Sequence, residues 1–254
     1  MKRATQGMLL GCGLFLYAAS AWGRAPEPVS PDLSQPEERA QAQLDVLEGL
    51  VAAGMIDNAL EVAAQLRGSG MKDTRLDLLQ ARAMQAKGMT DQAVSMLRTV
   101  TRKEPRNAAA WSELGVVLSD AQDTDGAISA LEHARRLTPS DARVLNNLGY
   151  LTMAKGQNQR AVELFQASLV QDPSNARTRN NLGFALARLE RDTEALTTFR
   201  AAGTEADARY NMGVACELRG DTASALTNYQ AAVALSTQSP AAAALTRLLH
   251  PESP

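Results

Sequence analysis

Small and bulky apolar positions recur along this chain with one period, and that period organises everything from residue 40 onward. Alanine stands at Ala59, Ala93, Ala127, Ala161, Ala195 and Ala225; the first four steps are 34 residues and the last is 30. Four residues after each comes Ala63, Leu97, Leu131, Phe165, Phe199 or Tyr229, bulky in all but the first case. Gly115, Gly149, Gly183 and Gly213 stand twelve residues before their alanines, and Pro105, Pro139 and Pro173 twelve after theirs. Repetition at such a period marks a stacked unit that cannot bury its apolar face alone. Ala, Leu, Gln, Glu, Arg and Met dominate the composition, all good helix formers, and aromatics are only 4%. Glycine and proline occur singly, as punctuation between short helices. The pattern predicts an all-α chain.

The residues inside one period carry a family resemblance. The W-x-x-L-G-x-x-Y…A-x-x-x-F…P pattern of the tetratricopeptide repeat is met by Trp111, Leu114, Gly115 and Leu118, then Ala127, Leu131 and Pro139. Six units run in phase: 40–73, 74–107, 108–141, 142–175, 176–205 and 206–239. The chain therefore resembles the tetratricopeptide-repeat (TPR) family over about 200 residues. That resemblance implies a right-handed α-solenoid of about six antiparallel helix pairs. The repeated Gly and Ala are expected where helix axes approach most closely. Leu, Phe and Tyr are expected to fill the space between neighbouring pairs.

The junctions point the same way. The last position of four units is Asp73, Asn107, Asp141 or Asn175, side chains that accept from free amides at a helix start. Gly54, Gly88, Gly156 and Gly220 fall between the two helices of their units, where a left-handed residue is useful. In the 30-residue unit, Gly203 is expected to stop the second helix early and Thr204 to cap the next. The first unit, with Gln43 and Leu47 in place of Trp and Gly, is degenerate as terminal repeats often are. Ser239-Pro240 opens a short apolar-faced helix, Ala241 to Leu249, that His250-Pro251 ends. Residues 240–254 are thus expected to form a capping helix and tail.

Upstream of the repeats the chemistry changes. Lys2 and Arg3 precede an uncharged apolar stretch, Met8 to Ala18, and Ala19-Ser20-Ala21 offers a cleavage site before Trp22. Residues 1–21 read as a signal peptide, which places the mature protein in the periplasm or outside. A second reading starts from Leu9-Leu10-Gly11-Cys12, which resembles a lipobox; lipidation at Cys12 would make an outer-membrane lipoprotein. Membrane contact is expected only with a lipidated Cys12 or an uncleaved leader. Residues 22–39, with Pro26, Pro28, Pro31 and Pro36, read as a solvated spacer and helix lead-in.

Charge and chemistry exclude several functions. The formal net charge of −2 leaves no footprint for nucleic-acid binding. Two cysteines make no disulfide framework, and Cys216 reads as a small core side chain. His133 and His250 have no neighbours at repeated metal-ligand spacing, and no catalytic constellation is visible, so neither a cofactor nor an enzyme activity is expected.

What remains is a binding surface. In this family the first helix of each unit lines the concave groove, and its sixth position here is Asn147, Asn181 and Asn211 in three successive units. Related proteins use such asparagines to bond an extended peptide; an amide donates and accepts at once, as a peptide backbone demands. Asn146 and Asn180 precede two of them, and Arg143, Arg177, Tyr150, Phe184, Tyr210 and Arg188 are the neighbours expected to set specificity. The competing reading is that the asparagines bond one another on a solvated face, a legacy of repeat duplication. In earlier units the sixth position is Asp45, Leu79 or Glu113, with Ser112, Ser119 and Asp120 nearby, so the N-terminal half of the groove is expected to be more acidic. The partners expected are proteins or extended peptide segments. Exported six-repeat proteins of this kind resemble type IV pilus pilotins and TadD-type pilus proteins, which implies a scaffold for pilus or secretion-machine assembly. The alternative is a docking subunit of a cell-wall enzyme.

Overall fold

A computed structural model describes residues 36–250. The chain divides into two compact units, Met1–Ala42 and Gln43–Pro254. The signal-peptide and lipobox residues and most of the spacer lie outside the described residues. The helices of the second unit begin with the end of α1 (Pro36–Ala52), then α2 (Ile56–Gly68), α3 (Thr74–Ala86), α4 (Thr90–Lys103), α5 (Ala108–Asp120) and α6 (Thr124–Leu137). They continue with α7 (Ala142–Ala154), α8 (Asn158–Gln171), α9 (Ala176–Ala187), α10 (Asp192–Arg200), α11 (Glu205–Leu218), α12 (Thr222–Leu235) and α13 (Ala241–Leu249). Among the described residues there is no strand, and no helix is long and apolar enough to cross a membrane.

The fold is a TPR solenoid. From α3 on, each helix packs on the next, and α3, α5, α7, α9 and α11 also touch one another in series. That second set of contacts makes these five helices the closely spaced inner row. All six repeated alanines are fully buried. Four of the bulky residues lie on the glycine of their own pair. A Cβ built on Gly115 would stand 2.6 Å from Leu131, and on Gly149, Gly183 and Gly213 it would stand 2.7, 2.4 and 2.5 Å from the rings of Phe165, Phe199 and Tyr229. The missing side chain is a recess in the first helix that the ring from the second helix occupies.

Caps hold the junctions. The side chains of Asp73, Asn107, Asp141 and Asn175 accept from the first-turn amides of α3, α5, α7 and α9. Between the paired helices, Gly54, Gly88, Gly156 and Gly220 have φ of 71°, 81°, 77° and 83°. Gln122 and Glu190 take the same place in the other two units, at φ 62° and 59°. The unit of 30 residues ends its second helix at Arg200, before Gly203, so the helix is stopped by its last turn and not by a left-handed glycine. Thr204 then caps α11: its hydroxyl accepts from the Asp207 amide at 3.2 Å, while Asp207 accepts from the Thr204 amide at 3.1 Å. At the far end α13 packs on α12 and buries Ala241. Cys216 is a fully buried free thiol, and desolvation pushes its pKa up.

Candidate functional site

The inner row opens into a cleft of about 430 Å³ across α5, α7 and α9. Its walls are Val116, Ser119 and Asp120 from α5, Asn146, Asn147 and Tyr150 from α7, and Arg177 and Asn181 from α9. Three helices contribute because the helical period returns one face of each to the same side, and stacking sets those faces next to one another. Gly115 at the floor keeps that face shallow enough for Leu131 to reach the cleft from α6.

The asparagines are neither independent nor idle. Asn181 Nδ2 donates to Asn146 Oδ1 at 3.1 Å, and Thr178 Oγ1 donates to the same oxygen at 3.2 Å. Asn146 Nδ2 in turn donates to Asn147 Oδ1 at 3.3 Å. One repeat further on, Asn211 Nδ2 donates to Asn180 Oδ1 at 3.2 Å. The fifth-position amide of one unit therefore receives the sixth-position amide of the next. These bonds fix the rotamers of the row and, among the described residues, leave the Asn147 amide nitrogen and the Asn181 side-chain carbonyl without a side-chain partner.

Other residues expected at the site divide by their surroundings. Tyr150 is 53% exposed at the cleft wall. Arg177 is exposed, with no ion pair or hydrogen bond to its guanidinium among the described residues. Arg143 is exposed at the start of α7 but does not line the cleft. Arg188 has a structural role: it donates to the Met153 carbonyl at 2.8 Å, closing the end of α7, as Arg219 does for the Ala187 carbonyl at 3.0 Å. With Phe184, Leu218 and Asn158 it lines a separate 250 Å³ recess. Phe184 packs edge-on to Phe199 at 5.0 Å and Tyr210 tilts on Tyr229 at 5.9 Å, so both rings are half-buried extensions of the core. Val116 was not legible as a wall residue from its own chemistry; its ninth place in the unit, shared with Tyr150, was the available clue.

On the N-terminal inner face the acids Asp45, Glu48 and Glu113 are charge-paired. Arg75 donates to Asp45 at 2.8 Å and also to Glu48. Glu113 is buried and paired with Arg82, Asp120 accepts from Gln85, and Leu79 and Ser112 are buried. Among the described residues no three His, Cys, Asp or Glu side chains group as metal ligands. His133 stacks on Trp111 at 4.1 Å and lies 3.3 Å from the Pro105 carbonyl, which also accepts from Trp111.

Residues 70–212, more than half of the chain, match the family model described as the cytochrome c-type biogenesis protein H TPR domain. Among solved structures, YrrB, described as a TPR protein with an unusual peptide-binding site, shares 19% identity over 74% of this chain and 99% of its own, with a TM-score of 0.58. MamA protein shares 20% over 65% of this chain and 91% of its own, at 0.53. The MamA of AMB-1 shares 22% over 63% and 95%, also at 0.53. At these identities the likeness is one of fold. No curated protein matches the sequence.

Proposed function

From the premise that this chain belongs to the TPR family, through the cytochrome c-type biogenesis protein H TPR domain, we propose that it is a scaffold holding an extended partner segment in the cleft of α5, α7 and α9. The observation that carries this reading is the amide row. Asn146 accepts from Asn181 and donates to Asn147, which holds one free donor and one free acceptor on adjacent helices, the pair a peptide backbone requires. Because the rotamers are already fixed, little side-chain entropy remains to be lost on binding. The peptide-binding site in the description of YrrB supports the same ligand class on the same fold. We further propose that the scaffold works on the exported side of a bacterial envelope, assembling a multi-protein system. The start Lys2-Arg3, the apolar Met8 to Ala18 and Ala19-Ser20-Ala21 support export. The biogenesis protein that gives the family model its description supports assembly of a cytochrome system ahead of a pilus or secretion machine.

One experiment tests both parts. A photo-crosslinking amino acid replaces Tyr150 in the cleft or Val170, 74% exposed on α8 of the outer row, and the protein is irradiated in its native cell. Discrete crosslinks to envelope proteins are expected from position 150 and not from 170. Replacing Asn147, Asn181 and Asn211 together by Ala should cut that yield several-fold, since neutral hydrogen bonds contribute ~0.5–1.5 kcal/mol each. Equal crosslinking from both positions removes the cleft from the reading, and cytosolic partners alone remove the export.

A further inference from the structure

The solenoid contains its own comparison for Arg177. Arg75 and Arg177 both hold the second position of their units, and the sixth and ninth positions of the preceding units are Asp45 and Glu48 in one case, Asn147 and Tyr150 in the other. At the first of these places the geometry is explicit: Arg75 reaches back across the repeat boundary and pairs with both carboxylates. At the second, Arg177, Asn147 and Tyr150 share one cleft, but an amide and a phenol stand where the carboxylates were, and the guanidinium has no anionic partner among the described residues. Arg143, the remaining arginine at the second position, is in register with Glu113, which Arg82 already binds, and it lies outside the cleft. A guanidinium offers five donors in a fixed fork, and a carboxylate is the group that satisfies it with two parallel bonds.

Resting on the peptide-binding reading above, we infer that the partner segment supplies the missing carboxylate: an aspartate or glutamate side chain that seats on Arg177 between Tyr150 and the Asn147–Asn181 amides. The opposite wall sets the direction. Asp120 lies across the cleft on α5, its carboxylate engaged among the described residues only by the neutral amide of Gln85. A run of acidic residues would set a second carboxylate against Asp120, so the segment is of mixed sign, with its acid toward α9 and a basic residue toward α5. Helix axes pack about 8–10 Å apart, so two steps of the inner row are spanned by roughly six extended residues at about 3.3 Å each. The acid and the base therefore lie within about six residues of one another.

The test is selection of a random twelve-residue peptide library on the purified full chain and on its Arg177→Glu variant, whose fold is checked by circular dichroism. The wild-type chain should enrich peptides with one Asp or Glu and a Lys or Arg nearby; Arg177→Glu should lose the acid and gain a second base. A selected peptide then serves as a fluorescent probe. Changing its acid to the amide should cost about tenfold in affinity on the wild-type chain, the lower end for a hydrogen bond to a charged group, and under about twofold on Arg177→Ala. Peptides enriched without an acid, or an acid preference that survives Arg177→Glu, overturn the inference and leave the cleft as a peptide site. No enrichment on the wild-type chain overturns both.

Discussion

Replacing Gly183 by Ala probes the contact on which each helix pair depends. Alanine is the better helix former by about 1 kcal/mol, so in an open helix the change stabilises. At Gly183 the new Cβ would stand 2.4, 2.6 and 2.8 Å from three ring atoms of Phe199. Ordinary carbon contacts are about 3.5–4.0 Å, so the ring must retreat by about 1 Å. Phe199 is 1% exposed and held edge-on by Phe184 at 5.0 Å, so its retreat strains the core. Overpacking of this kind costs ~1–3 kcal/mol, which leaves a net loss of up to about 2 kcal/mol. Gly49 in α1 is the control, since a Cβ there meets nothing within 4 Å and Gly49→Ala should gain the full propensity. The effects at the two sites should differ by ~1–3 kcal/mol. In a Phe199→Ala background the obstruction is gone, and Gly183→Ala should become stabilising by about 1 kcal/mol, a coupling that a double-mutant cycle isolates. Urea unfolding followed by circular dichroism measures it, with hydrogen exchange locating the change, because repeat arrays unfold in parts. If Gly183→Ala in the wild-type background stabilises as much as Gly49→Ala, the ring is not seated on the glycine and the packing argument fails.

Two other consequences concern the turns and pH. Gln122→Gly and Glu190→Gly should each raise stability by about 1 kcal/mol, because both residues sit at positive φ where their four counterparts are glycine; thermal melts that fall for both variants contradict this. Glu205 is held at a pKa of about 2, first by Arg200 and then by Arg209. Its folded value lies below the roughly 4.3 of an unfolded glutamate, so its contribution is complete above that pH and is lost as pH falls toward 2. Amide protection at the start of α11 should therefore fade over that window more steeply than in Glu205→Gln, and an NMR titration placing Glu205 near the ordinary value refutes it.

Features set by a few consecutive residues were legible in the sequence. An N-cap such as Asn175 engages an amide three residues on, so its chemistry needs no knowledge of the fold. Gly54, Gly88, Gly156 and Gly220 announce the left-handed turn by lacking a Cβ. Gln122 and Glu190 do not, because there the packing of the flanking helices imposes a conformation that the residue itself disfavours. The amide row was visible as a recurrence, but whether those amides face a ligand or each other was open. The bonds that join them link residues 31 to 35 positions apart, Asn211 to Asn180 and Asn181 to Asn146 among them, and no local pattern announces those.

The same boundary separates Arg75 from Arg177. Period, helix pairs, caps and the small-residue positions follow from sequence because a 34-residue repeat constrains every unit to one local answer. What only the tertiary structure decided is which charges are already satisfied. Arg75 and Arg177 are alike in residue type and place in the unit, and Asp45 and Glu113 both hold the sixth position of theirs. Stacking carries Arg75 and Arg82 onto carboxylates of neighbouring units and leaves Arg177 open beside the amides. A charge–charge contact depends on angströms across a repeat boundary, and those are set by how side chains interlock between units, a quantity that no single unit encodes.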